Sequence, residues 1–333
     1  MTRTDAELAT VTAPKPGDQL EKSGDQLAAD KTATVQRQLK SLDEMLTSVL
    51  RLEPLSFDRL LAARTIPRFD PGPLGVALAA PSWDAYAPEP PSGLSRLWHR
   101  SAYKRRLADA EAKYQAARTA YQRAESQRSG ALAAAKATHD REVTEEHARA
   151  AGQNADIERR RLAFAAGDGG AVEWYVGQAI TMSRYLNVFP RDYQVTYHAR
   201  TVQVVAELPP GRIVPSARAY RYVASRNAVE PVPRPDNEIR QRYRRLVCSA
   251  ALRVLHAIFA ATPAEVVDTV EFRGWAGAAD PATGKAIRPC LVSVTAGRPE
   301  FGELVLTSVD PVACLAHLSG TVSPDPFALE PVP

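Results

Sequence analysis

The ATGK at residues 282–285 has the spacing that most suggests chemistry, because it looks like the end of a phosphate-binding loop. Such a loop needs a glycine five positions before the Gly-Lys pair and a Ser or Thr directly after it. Ala279 and Ala286 occupy these positions. Asp280, Pro281 and Gly284 are turn formers. The sequence therefore predicts a β-hairpin, joining strands over 266–275 and 287–295, and no nucleotide site.

The cysteines and histidines do not form a recognisable ligand set. Cys314 and His317 lie one helical turn apart, but two ligands do not make a zinc site. Cys248 and His256 are spaced so that they fall on different faces of one helix. We predict that each packs in the interior, and we assign no metal and no cofactor.

The order of predicted elements over residues 171–295 is helix, three strands, helix and two strands, as in the core of PD-(D/E)XK nucleases. Such a nuclease needs an acid on the second strand and Glu-x-Lys on the third, because these groups hold Mg²⁺ and orient water. Glu207 could be the first acid, but Ser216, Ala217 and Arg218 stand where Glu-x-Lys would fall. We therefore assign no catalytic residue and do not expect these 333 residues to cleave DNA.

Composition indicates an ordinary globular protein of about two domains. Charged residues make up 24%, hydrophobic ones 45%, and the net charge of +4 permits nucleic-acid contact without requiring it. The sequence has no apolar run of membrane-spanning length and no secretory signal. Three cysteines without a CxxC pair favour a reducing cytoplasm.

The first 93 residues divide into three segments. Residues 1–32 are polar and lack a hydrophobic period, so we predict disorder. Residues 33–53 carry apolar side chains at helical spacing, which predicts an amphipathic helix. Residues 54–93 are rich in proline and contain scattered aromatics, which predicts an extended strap laid against the folded body.

Residues 94–166 are predicted to form a long helical arm. Apolar residues alternate steps of four and three, the spacing of a coiled-coil seam, at Tyr103, Leu107, Ala110, Tyr114, Ala117 and Tyr121. The arm can be an antiparallel hairpin that turns near Ser129 and Gly130, or one long helix that pairs in a dimer. We favour the hairpin slightly, because a lone helix would expose the tyrosines.

The basic residues of the arm could contact DNA phosphates. The arm has fifteen basic and nine acidic residues, with the excess in its first half, and the helix predicted over 236–261 has a second basic stripe. A solvated helix face is the alternative interpretation. The DNA-contact candidates are Arg100, Lys104, Arg105, Arg106, Lys113, Arg118, Arg123, Arg240, Arg242, Arg244 and Arg245.

Residues 167–320 are predicted to be a compact body of helix, three strands, helix, β-hairpin and helix, which places the whole chain in the α+β class. The last helix should begin with Asp310 as N-cap and Pro311 in its first turn. The proline-rich tail, residues 321–333, is predicted to be a linker.

A series of segments in this region resembles a known family as a set. They are FPRDYQVTYHARTVQVVAELPP, VPSARAYRYVASRNAVE, RYRRLVCSAALRVLHAIFAA, GWAGAADPATGKAIRPCLVSV and VDPVACLAHLSGTVSPDPFALEPV. The series resembles the region upstream of the nuclease domain in actinobacterial Mrr-like restriction endonucleases, over about residues 40–333. The resemblance implies a role in foreign-DNA restriction. It also implies that a Mg²⁺-dependent nuclease domain would follow Pro333, so cleavage activity is not carried over to these residues.

Two functions are therefore expected as alternatives. The first is a non-catalytic, DNA-associated targeting or assembly module that contacts double-stranded DNA through its basic faces. The second is an interaction scaffold whose coiled coil self-associates or docks a separate nuclease subunit, without DNA contact. Neither requires a cofactor or a membrane.

Overall fold

The computed structural model describes residues 16–62, 66–90, 100–185, 189–190, 192–280 and 282–333, with backbone alone for 16–22 and Arg100. The chain divides into two compact units, one of residues 1–60 with 158–333 and the other of residues 61–157. The first unit is a mixed α+β body and the second is built on a long helix, which confirms the predicted fold class. No helix in the described part of the chain has the length and apolar character to cross a membrane.

The body is organised by a five-stranded sheet in the order β1-β2-β5-β8-β9. Its strands are β1 (Tyr193–His198), β2 (Thr201–Glu207), β5 (Thr269–Trp275), β8 (Cys290–Gly297) and β9 (Thr321–Val322). Only the β2–β5 pair is parallel; the others are antiparallel. A parallel pair needs a crossover connection, and helix α6 (Asp236–Ala261) lies in that connection.

Helices cover one face of this sheet. Helix α5 (Gly169–Met182) packs on β1, and α6 packs on β5 and β8. The buried face alternates with an exposed one along β2 and β5, since Val204 and Phe272 are buried while Val205 and Arg273 are exposed. This alternation is typical of a sheet with one face in the core.

The N-terminal prediction of disorder over 1–32 is wrong for residues 16–32, and residues 1–15 lie outside the described part. Helix α1 spans Pro16–Asp43, and a short helix α2 follows over Met45–Val49. Helix α1 packs on a separate two-stranded sheet of β3 (Ala217–Val223) and β4 (Ala228–Pro233). A Cβ at Gly24 would lie 2.3 Å from the Tyr222 ring, so the glycine permits the close approach. Tertiary packing stabilises a helix that the polar sequence alone does not indicate.

The structure adds a strand, β4, to the three strands that the sequence predicts before α6. Pro231 and Pro233 both lie within this strand. A proline is tolerated in a strand that pairs on one side only, where its nitrogen can face away from the partner. Strand β3 is likewise outside the five-stranded sheet, so the PD-(D/E)XK order of strands is not reproduced.

The predicted hairpin around ATGK is confirmed. Strands β5 and β8 pair antiparallel and are extended by the short strands β6 (Ala278–Ala279) and β7 (Ala286–Ile287). At the tip, Gly284 has a φ of +68°, and the Asp280 carboxylate accepts hydrogen bonds from Ala282 N and Thr283 Oγ1. Positive φ is the conformation that requires glycine here.

The C-terminal helix is confirmed, but the linker prediction for residues 321–333 is wrong. Helix α8 (Pro311–His317) follows a short helix α7 (Arg298–Gly302), and Asp310 caps α8 by accepting from Val312 N and Ala313 N. The tail then adds β9 to the sheet, and Val332 N donates to Cys290 O at 2.8 Å. Phe327 meets the Tyr243 ring edge to face at 6.1 Å, so the prolines lie in a packed segment.

Arg253, a basic residue of α6, is buried and ties several elements of the body together. It is 1% exposed. Its guanidinium donates to the Ser183 carbonyl at the end of α5, and to Met45 O and Ser48 Oγ in α2. Burial lowers the pKa of Arg253 to about 10, which still leaves it charged at neutral pH. Backbone carbonyls therefore solvate a buried cation.

Replacing Arg253 with methionine should destabilise the body. The methionine keeps the apolar stem but leaves the Ser183 carbonyl buried without its two N–H donors, which costs about 2 kcal/mol. Denaturant unfolding followed by circular dichroism measures this loss. Arg240→Met is the matched control, because Arg240 is exposed and its ion pair with Asp325 contributes less than about 1 kcal/mol. Equal free energies of unfolding in the two variants would contradict this role for Arg253.

Candidate nucleic-acid interface

The predicted arm is one uninterrupted helix, α4, spanning Arg100–Ala165. At 1.5 Å per residue its 66 residues extend about 99 Å. The hairpin that we favoured is wrong, since Ser129 and Gly130 lie within the helix. A single glycine costs a helix only about 1 kcal/mol, too little to end one of this length. Helix α4 stops near Gly167, whose φ is +75°, and its last eight residues belong to the body.

The proline-rich strap explains why the tyrosines of a lone helix are not bare. In the second unit, strap residues 66–90 run antiparallel to α4. Ala62 N donates to Asn154 Oδ1, the Phe69 ring lies 5.5 Å from His139, and Leu78 N donates to Glu125. At the far end, Trp83 and Tyr86 contact the Tyr114 ring at 5.5 and 5.8 Å. The strap thus follows about 60 Å of helix in a largely extended conformation.

The predicted strap, residues 54–93, is divided between the two units. Residues 57–60 form a one-turn helix, α3 (Phe57–Leu60), in the body. There Phe57 stacks on Tyr175 with centroids 4.4 Å apart, as expected for a strap against the body. Residues 66–90 pack on α4 instead. Residues 63–65 and 91–99 lie outside the described part, so the start of the arm at 94–99 is not tested.

The predicted seam faces the strap at Tyr114, where Trp83 and Tyr86 pack. Ala110 is buried and the other five seam residues, Tyr103, Leu107, Tyr114, Ala117 and Tyr121, are half-buried. The same four-and-three spacing continues at Glu125 and Arg128, which are also half-buried. Among the described residues of this unit, the strap takes the place of the second helix that a coiled coil would supply.

Glu125 and Arg128 clasp the strap, and sequence reasoning missed them. The two side chains form an ion pair, Glu125 accepts from Leu78 N at 3.2 Å, and Arg128 donates to Leu74 O. The hydrogen bonds from Arg128 and, to a lesser extent, Leu78 lower the pKa of the Glu125 carboxyl. The sequence does contain a signal for this contact. Two oppositely charged residues, Glu125 and Arg128, occupy consecutive seam positions, which indicates that the seam there faces polar backbone groups and not apolar side chains.

The basic candidates on α4 lie mostly on its uncovered side. Residues 100–130 carry eight basic and three acidic residues, an excess of +5, whereas residues 131–165 carry six of each. The side chains of Lys104, Arg105, Arg106, Lys113, Arg118 and Arg123 are all exposed. Lys113 pairs with Asp109 at 2.7 Å, and the other five have no ion-pair partner among the described residues. Arg100 begins the helix, and its side chain is outside the description.

The basic candidates on α6 are mostly neutralised within the body. Arg240 pairs with Asp325, Arg242 with Glu238 and Asp43, and Arg245 with Asp310. Arg244 is half-buried, and its Nε has no hydrogen-bond partner among the described residues. Glu238 lies four residues before Arg242 on α6, but Asp43, Asp310 and Asp325 come from distant parts of the chain, so spacing along α6 could not indicate them. The structure does not bring the α6 arginines together as an uncompensated patch.

The groups tested for catalysis occupy unreactive environments. Burial raises the pKa of the Cys248 thiol to about 12, and it also raises the pKa of Cys314. A thiol that stays protonated is a poor nucleophile. Burial and then the charge of Arg253 lower the pKa of His256. Glu207 ends β2 beside Trp275 of β5, and the described residues contain no group of three potential His, Cys, Asp or Glu ligands.

Comparison with known proteins gives no match to a family model, to a curated protein or to a solved structure. The resemblance to the Mrr-like restriction endonucleases therefore stays a prediction.

Replacing Tyr114 with glutamate should release the strap, because a carboxylate would stand where Trp83 and Tyr86 pack. Loss of about 1.4 kcal/mol of local stability would make chymotryptic cleavage after Tyr86 about tenfold faster. Mass spectrometry of timed digests measures this rate.

The matched control is Ala112→Glu, which adds the same charge at an exposed position two residues away. Its cleavage rate after Tyr86 should equal that of the unaltered protein. Equal rates in the two variants would show that Tyr114 does not hold the strap.

Proposed function

We propose that this chain binds double-stranded DNA through the first half of α4, as a non-catalytic targeting module of a foreign-DNA restriction system. The observation that carries the proposal is a set of six exposed cations between Lys104 and Arg123, within a stretch, residues 100–130, that has an excess of +5. The resemblance to Mrr-like proteins supports the restriction context, where a Mg²⁺-dependent nuclease domain or subunit would supply cleavage.

The physical basis of binding is release of counterions from the phosphate backbone. Each Lys or Arg that neutralises a phosphate displaces condensed cations, so the binding constant falls as salt rises. Lys104 and Arg123 are nineteen residues apart, so the exposed cations span about 28 Å of helix. DNA presents many phosphates over that distance. Five of these six cations have no ion-pair partner among the described residues, so only the pair of Lys113 with Asp109 stands to be broken on binding.

Packing also favours DNA over a coiled-coil partner for this helix. A second helix would need the seam at Tyr114 and Tyr121, and the strap already occupies that face at Tyr114. The scaffold alternative therefore requires the strap to leave α4. DNA contact requires no such rearrangement in this unit.

The charge proposal is tested with the double variant Arg105→Ala/Arg123→Ala. Fluorescence anisotropy with a labelled duplex, repeated between about 50 and 200 mM salt, gives the slope of log binding constant against log salt concentration. We expect the variant to bind more weakly to every duplex and its slope to be shallower by about 2, since each lost phosphate contact removes about 0.9.

The matched control is Lys136→Ala/Arg141→Ala, which removes two exposed cations from the neutral half of the same helix. Its slope should match that of the unaltered protein. No binding by the unaltered protein, or the same loss in both variants, would refute the assignment to the first half of α4.

A further inference from the structure

A line of uncharged polar side chains runs along the same half of α4. Gln115, Thr119, Gln122 and Ser126 are all exposed. At 3.6 residues per turn, these four positions fall within about 40° of one line parallel to the helix axis. The seam residues Tyr114 and Tyr121 lie about 100° or more away around the helix. We call these four residues the polar line.

The polar line has the groups that read base edges in DNA. A glutamine amide can donate and accept in one bidentate contact to adenine N6 and N7, and serine or threonine can bond to several bases. The amides of Gln115 and Gln122 make no hydrogen bond within the described residues. The Thr119 hydroxyl donates to Gln115 O at 2.9 Å, so that hydroxyl is engaged while its methyl group is available for a thymine methyl.

Cations flank the polar line on both sides. Arg105 and Arg123 lie about 80° to one side, and Arg118 lies about 60° to the other. A helix in the major groove has one phosphate strand on each side, and the groove is wide enough to admit it. Lys104 lies on the same line as Gln115, about three helical turns before it, and Glu111 lies at the edge of the polar line. The arrangement is therefore polar in the centre and basic on both flanks.

We propose that the polar line lies in the major groove of duplex DNA and makes the base contacts, with a preference for adenine at the positions read by Gln115 and Gln122. This inference rests on the proposed function and names the substrate feature that the site would recognise. Gln115 and Ser126 are about 16 Å apart along the axis, which corresponds to about five base pairs. The flanking arginines supply affinity, and the glutamines supply selectivity.

The test starts with the full chain and a pool of duplexes with a randomised central segment. Bound duplexes are selected over several rounds and sequenced. We expect enrichment of a short site containing adenine at two positions. In anisotropy titrations, the selected duplex should bind more tightly than a scrambled duplex of the same length and composition, by about 5- to 150-fold for each of the two adenine contacts.

The double variant Gln115→Ala/Gln122→Ala should remove this preference without removing DNA binding. Its affinity for the selected duplex should fall to that for the scrambled duplex, and its salt slope should be unchanged because no cation is lost. Gln127→Ala is the matched control, since Gln127 is exposed on α4 but lies about 120° from Gln115. It should keep the full preference.

The outcomes separate the two proposals. Binding without any sequence preference, or a preference that survives the double variant, overturns the inference about the polar line and leaves the proposed function standing. No binding to any duplex overturns the proposed function and the inference with it. A preference lost only in Gln115→Ala/Gln122→Ala supports both.

Discussion

The packing of the strap against α4 determines which side of this helix is open in the second unit. A helix with tyrosines at seam spacing must cover them, and in this chain Trp83 and Tyr86 do so at Tyr114. The clasp of Glu125 and Arg128 fixes the strap by its backbone, at Leu74 and Leu78. Because the strap occupies one side of α4, the rest of the helix surface is open, and that surface carries the exposed cations and the polar line.

Features governed by local sequence were predictable. The four-and-three spacing of Tyr103 to Tyr121 identified the covered face of α4, although not what covers it. Asp310 and Pro311 located the start of a helix, and the turn residues around Gly284 located a hairpin. In each case the physical cause lies within a few residues: a side chain that caps backbone N–H groups, or a backbone angle that glycine adopts without strain.

Features governed by distant partners were not predictable. Residues 16–32 are helical beside the ribbon of β3 and β4, and Thr32 Oγ1 accepts from Tyr220 N across 188 positions. The tail is ordered by pairing with β8 and by the contact of Phe327 with Tyr243. For the candidate site, spacing identified the basic residues of α4, but it could not show that the strap leaves them open. A single sequence shows whether a segment has one apolar face. Residues 16–32 and the tail are stabilised by surfaces that are distant in the sequence, and their own residue pattern does not indicate those surfaces.

The arginines show that a basic residue in the sequence indicates a phosphate contact only when its charge has no partner within the fold. Arg253 and Arg240 lie on the same helix, yet one is solvated by buried carbonyls and the other pairs with Asp325. Arg128, on α4, holds the strap. Each of these cations already has a partner within the fold, so it would have to break that contact before it could pair with a phosphate. Arg105, Arg118 and Arg123 carry no such cost, because no acid among the described residues pairs with them. An uncompensated cation on a solvent-exposed helix is therefore the feature that distinguishes the first half of α4 from the basic face of α6.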